Sequence, residues 1–359
     1  MLRSAEVWPT KRHGPPPMNS KRLQILVILL IVLAGALVFR LVRGDYRERT
    51  PFASPGRGMA GAGIFNVKDP VIPADAIRWG GPPKDGIPAL ADPAMVTAAD
   101  ASFMEDADLV VGVSIAGEAR AYPLRILVWH EIANDTVGDT PVAVTYCPLC
   151  QSTMVFDRRI GGRTNEFGVS GLLYQSNVLM FDRREDPDEE SLWSQGEMRA
   201  VAGPAAKKEL TLSLMPSELT TWEDWRARHP ETQVMSTLTG HFRDYNGSPY
   251  EGYFVDDHIM FPVKSELEKP ERFRQKEMLA VVYADGAAKA YAVRDVERAA
   301  GEGGLLEDTI QAQAIRITHV PEGPSIRAAD ANSGETLPVA YMFWFVLSAM
   351  QPNIPVFEP

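Results

Sequence analysis

With two cysteines in 359 residues, the sequence holds too few to build a disulfide framework. It has no cluster of Lys and Arg after residue 50, and its formal net charge is -11. Nucleic acid is therefore not an expected partner, since phosphate binding needs a concentrated basic surface. The G-x-S-x-G elbow, the P-loop and the dinucleotide fingerprint are all missing, which removes the commonest hydrolase, nucleotidase and dehydrogenase designs. Gly161-Gly162 reads as a hairpin turn, not a phosphate cradle. No excess of charge or polar repeats starves the chain of apolar residues, so a globular core is expected.

What is present begins with one apolar run. Leu23 to Phe39 has Gln24 as its only strongly polar side chain, and continues past Arg40 to Val42. That length approaches the roughly 20 residues a membrane-crossing helix needs, and Arg40 can snorkel to the headgroups. Lys21 and Arg22 before the run and Ala34-Gly35-Ala36 within it also fit a cleaved signal peptide, but the apolar stretch continues unbroken past that point. The expected division is a basic tail (1–22), a single transmembrane helix (23–42), a Gly/Pro-rich linker and lead-in (43–100) and a β-rich soluble domain (101–359). Basic residues flank the run almost equally, and the N-terminus-in orientation is preferred, with the domain in the periplasm.

The domain contains an internal echo. Residues 113–125 (VSIAGEARAYPLR) match residues 282–294 (VYADGAAKAYAVR) at Val, Gly, two Ala, Tyr and Arg, with Arg120 replaced by Lys289. After a four-residue shift, 134–148 parallels 307–321. This reads as a duplicated hairpin–connector–strand unit, about 109–150 and 279–322, although hairpins share turn residues by convergence. Features in both copies, such as Tyr122 and Tyr291, are expected to serve packing. Features in the first copy alone are candidates for chemistry: His130 and Glu131 in the connector, then Cys147 and Cys150.

Val142–Tyr146 and Ser152–Phe156 alternate like strands, which places Cys-Pro-Leu-Cys at the turn between them. A thioredoxin-type pair instead opens a helix. C-P-x-C between strands resembles a rubredoxin or zinc-ribbon knuckle, but such sites need four ligands and no second C-x-x-C exists. One reading makes Cys147, Cys150 and His130 ligands of zinc, copper or iron, with Glu131 a ligand or general base. His241 and His258 are further ligand candidates. A second reading is a thiol–disulfide pair with Cys147 as nucleophile. A third leaves both sulfurs as inert packing in a non-enzymatic binding domain. Downstream, Tyr174, Ser176, Asn177, Asp182, Trp193, Ser194 and Gln195 are either a small-molecule pocket beside the knuckle or the polar outer faces of strands. Within that pocket, Tyr174, Asn177, Trp193 and Gln195 are the expected ligand contacts.

Thr220 to Pro230 reads as a short helix with a Thr220/Glu223 capping box, stopped by Pro230 and docked through Trp222 and Trp225. Pro338 to Met350 is apolar but too short to span a bilayer, so it should close the core. The whole is expected to be α+β, predominantly antiparallel strands with short helices.

TYCPLC, FGVSGLLY, SLWSQ, TTWEDWRARHP and RDY…PY, in that order, make the chain similar to a bacterial family known as a domain of unknown function, DUF3179, over roughly residues 100–350. The resemblance implies export or membrane anchoring and supplies no reaction. The family carries a small residue after the second cysteine, where this chain has Gln151.

Overall fold

A computed structural model describes residues 65–264, 272–320, 323 and 325–359. The 23–42 run lies outside them, and among the described residues no helix is long and apolar enough to cross a membrane. The architecture is α+β and mainly antiparallel β, as the alternating apolar pattern predicts.

The two echoing segments have one order of elements. Hairpin Leu109–Ile115/Glu118–Pro123 leads into helix Leu124–His130 and hairpin Ile132–Val137/Thr140–Cys147. Hairpin Met278–Ala284/Ala287–Ala292 leads into helix Val293–Ala300 and hairpin Leu305–Ile310/Gln313–His319. Each repeats a polar triad. In the first, Arg120 and the Tyr122 hydroxyl donate to Asp135 at 2.6 and 2.7 Å. In the second, Lys289 and the Tyr291 hydroxyl donate to Asp308 at 2.7 and 2.9 Å. In both, the next threonine's N–H caps the same carboxylate. The shared tyrosines thus pack with their bodies in the core and tie their tips to the second hairpin.

The central sheet draws one hairpin from each segment. In spatial order it runs Ala287–Ala292, Met278–Ala284, Val339–Phe343, Ser152–Asp157, Thr140–Cys147, Ile132–Val137 and Leu90–Ala91, with Ser213–Leu214 also on Ser152–Asp157. Val339–Phe343 joins the two halves; with helix Trp344–Met350 behind it, the apolar C-terminal segment closes the core as its composition requires. A second sheet, Ile77–Trp79, Phe167–Tyr174, Asn177–Asp182, Leu192–Ser194 and Arg199–Ala202, shares a core with the central one: Met154 and Phe156 meet Phe167, Met180 and Trp193.

Two expectations need correction. From Phe65 onward the supposed linker belongs to the fold: Ile77–Trp79, Leu90–Ala91 and Met95–Thr97 each add a strand to a different sheet, and Phe65 is buried beside Phe181. Pro and Gly mark its turns without preventing short edge strands. The tryptophan helix spans Trp222–Arg228 and is capped by Thr221, not Thr220: the Thr221 hydroxyl accepts from the Asp224 N–H, while the Thr220 hydroxyl donates to the Asp224 carboxylate. Trp225 packs where Gly112 leaves room; a Cβ there would sit 2.3 Å from its ring.

Tyr122→Phe should cost about 1–3 kcal/mol, because it strips a donor from a carboxylate closed to water. Tyr291→Phe should cost less, since Asp308 is more exposed and water can replace the hydroxyl. Urea unfolding of both variants checks the order.

Candidate functional site

The turn between Thr140–Cys147 and Ser152–Asp157 sets the sulfurs. Cys147 pairs with Ser152 across the ladder, and Gln151 closes the turn with φ +49°. That left-handed backbone is one that glycine takes most easily. The turn is fastened from outside: the Phe343 N–H donates to Cys150 O at 2.9 Å, and the Tyr253 hydroxyl donates to Leu149 O at 2.9 Å. Both cysteines are free thiols and fully buried.

A chain of side-chain amides points at Cys150, and its direction follows from counting hydrogens. The Thr145 hydroxyl gives its only proton to Met154 O, so it must accept from Gln195 Nε2 at 2.8 Å. Gln195 therefore turns Oε1 toward Asn177 Nδ2, 2.7 Å away. Asn177 Oδ1 independently accepts from the Gly196 N–H at 2.9 Å. Asn177 Nδ2 is thus fixed as a donor to Cys150 Sγ, at 3.1 Å. Ser152 Oγ lies at the same distance from the sulfur. Burial opposes charge on Cys150, but hydrogen bonds from Cys147, Ser152 and Asn177 outweigh it and bring that thiol below its ordinary range. Burial and the proton shared with Cys150 push Cys147 well up. Of the two sulfurs, Cys150 is the one whose surroundings favour the charged form.

Glu131 completes the group. It ends helix Leu124–His130 in a left-handed conformation (φ 57°, ψ -29°), locked by Glu131 N–H to Leu127 O and Tyr146 N–H to Glu131 O, both 2.7 Å. Its carboxyl has no hydrogen-bond partner among the described residues, and burial, reinforced by the Cys150 charge, pushes it up to about 8. It is a neutral acid at pH 7. Gln175 and Ser176, in the turn before Asn177, are also left-handed, at φ 50° and 62°. Ser176 O is 4.0 Å from Cys147 Sγ, and the buried Ser176 hydroxyl has no partner. Gln175 and Ser176 form the two-residue turn of the hairpin Phe167–Tyr174/Asn177–Asp182, where positive φ at both positions is ordinary.

His130 is not part of this group. Its Nδ1 is 2.7 Å from Pro88 O and its Nε2 is 2.8 Å from the Tyr245 hydroxyl, so both ring nitrogens are engaged away from the sulfurs. Burial holds the ring neutral, with its pKa lowered to about 4. His241 lies beside it with the two rings tilted, and His258 is exposed. No group of three or more His, Cys, Asp or Glu that could hold a metal occurs among the described residues. The expected pocket divides. Asn177 and Gln195 serve the sulfur, Trp193 lines a separate cavity with Asp182, and Tyr174 is half-buried at a strand end. Thr145, Ser152 and Tyr253 are not singled out by the sequence. Ser152 and Thr145 look like ordinary strand residues, and Tyr253 lies 104 residues beyond Leu149.

Glu131 keeps its proton in the folded chain up to about pH 8, whereas an ordinary glutamate loses it near 4.5. The contribution of Glu131 to stability therefore falls as pH rises across that window. Glu131→Gln has no proton to lose, so its stability relative to wild type should grow by a few kcal/mol across the same window. Denaturation at the two ends of the window tests this; a constant difference would show that Glu131 titrates normally.

No match to this chain was found among curated proteins or among solved structures. One family does match, over residues 84–343, and this is most of the chain. The chain belongs to that family, described as Protein of unknown function (DUF3179).

Proposed function

We propose that the domain is a thiol–disulfide exchange module, with Cys150 the nucleophile and Cys147 the resolving thiol. The observation that supports this reading is the fixed Asn177 amide aimed at Cys150 Sγ, beside a Cys147 thiol that shares its proton. The sequence alone favoured the first cysteine as nucleophile; the hydrogen bonds favour the second. The Cys150 thiolate attacks one sulfur of a disulfide-bearing partner, breaking its S–S bond and forming a mixed disulfide. The departing partner thiolate takes up a proton. Cys147, its proton passed to solvent, then attacks Cys150 Sγ and releases the second partner thiolate. The domain leaves as a Cys147–Cys150 disulfide, oxidised by two electrons, and the partner as a dithiol. Glu131, neutral beside the pair, is the buried group able to give or take a proton there.

The metal reading has weaker support, because His130 faces away and a third ligand is missing among the described residues. Redox titration of the full-length chain against a dithiothreitol couple should give one two-electron transition, abolished by Cys150→Ser. Thiols that become reactive only after chelation would instead return the case to metal binding. Exchange also requires the Tyr253 cover to lift. Tyr253→Phe, lacking the bond to Leu149 O, should react with a thiol reagent about fivefold faster.

The proposal is completed by location. An apolar run at Leu23–Val42 as anchor would carry the dithiol into the periplasm, where such pairs can cycle. Protease added outside intact spheroplasts should digest the domain; full protection would place it on the cytoplasmic side.

A further inference from the structure

A second polar site lies away from the sulfurs. A cavity of about 190 Å³ opens between the hairpin around Gly161, strand Asn177–Asp182, strand Leu192–Ser194 and the turn of helix at Pro204–Lys207. Arg163, Arg184 and Lys208 line it, with Asp182 and Trp193. Two buried donors there have no acceptor: Arg184 Nε–H and the Trp193 indole N–H. The Arg184 side chain is 9% exposed and Trp193 is 1% exposed, so bulk water does not serve them. Leaving such donors unmet is unfavourable.

The charges indicate what is missing. Asp182 is answered within the protein: its carboxylate accepts from the Ser191 N–H at 2.6 Å and pairs with Arg184. Arg184 is also held through Asn165 Oδ1 at 2.6 Å and Arg183 O at 2.8 Å, which fixes its guanidinium plane. Arg163 and Lys208 are exposed at the rim and have no carboxylate partner among the described residues. After the Arg184–Asp182 pair cancels, two positive charges remain. Burial lowers the Arg184 pKa and the Arg163 charge adds to this, while Asp182, Glu189 and Glu190 act against it.

We propose that this cavity binds a doubly charged tetrahedral oxyanion, inorganic phosphate or the terminal phosphate of a small molecule. Its oxygens accept from Arg184 Nε–H and the Trp193 indole, and its charge meets Arg163 and Lys208. The volume suits a small anion and is below that of drug-sized pockets. The site is separate from the dithiol and stands without the exchange reading.

Inorganic phosphate binding to the full-length chain tests it, by calorimetry and by the indole N–H resonance that disappears in Trp193→Phe. Phosphate should saturate and shift that resonance, with acetate far weaker. Arg163→Ala with Lys208→Ala, both at exposed positions, should weaken phosphate about tenfold or more without moving the phosphate-free unfolding midpoint. The proposal is overturned by any of three results: no saturation below roughly 10 mM phosphate, acetate binding as tightly, or unchanged phosphate affinity in the double variant. Saturation with the Trp193 resonance unmoved overturns it as well, marking an adventitious ion only.

Discussion

Favouring charge on one of two buried sulfurs is the constraint around which this site is organised. A bare thiolate there would be neutralised by burial, so donors must be supplied and held in one orientation. The Thr145–Gln195–Asn177 relay does this with two amides whose direction is dictated from both ends. The relay bridges the two sheets that share a core: Thr145 and Ser152 come from the central sheet, and Asn177 and Gln195 from the second. The facing of those sheets and the electronic state of Cys150 are therefore one problem. A shift in sheet packing would withdraw the amide and raise the thiol.

The duplicated order of elements gives a contrast within one molecule. Both segments keep the Tyr–Asp tie between hairpins, which is a folding device. Only the first ends its helix on a buried acid and its second hairpin on a sulfur pair. At the matching point the second helix ends on Gly301, with φ 57°. The two caps differ in ψ, -155° at Gly301 and -29° at Glu131, so the first segment leaves its helix by a different turn and does so on a residue that carries a Cβ.

Much of the fold was legible in the sequence. Period-two alternation located the strands flanking Cys-Pro-Leu-Cys, and the matched Tyr122 and Tyr291 correctly read as packing residues. Locating Cys147, Cys150 and Glu131 together also needed only local spacing. The reading failed where contacts span long stretches of chain. His130 adjoins Glu131 in sequence, yet the left-handed residue turns the backbone so that the two side chains part. The partners of His130, Pro88 and Tyr245, lie 42 and 115 residues away. Spacing carries no trace of them. The same holds for the separation of Trp193 from Asn177, because alternate faces of neighbouring strands look alike in composition.

The strand Val339–Phe343 joins the two halves of the central sheet and follows both of them in the chain. Its last residue also donates the bond that fastens Cys150 O. Pairings so distant in sequence form slowly. During synthesis, the bond from the Phe343 N–H to Cys150 O therefore closes only after the final strand has been made, so a truncated chain would keep the donors to Cys150 Sγ but lack this outer fastening of the cysteine turn.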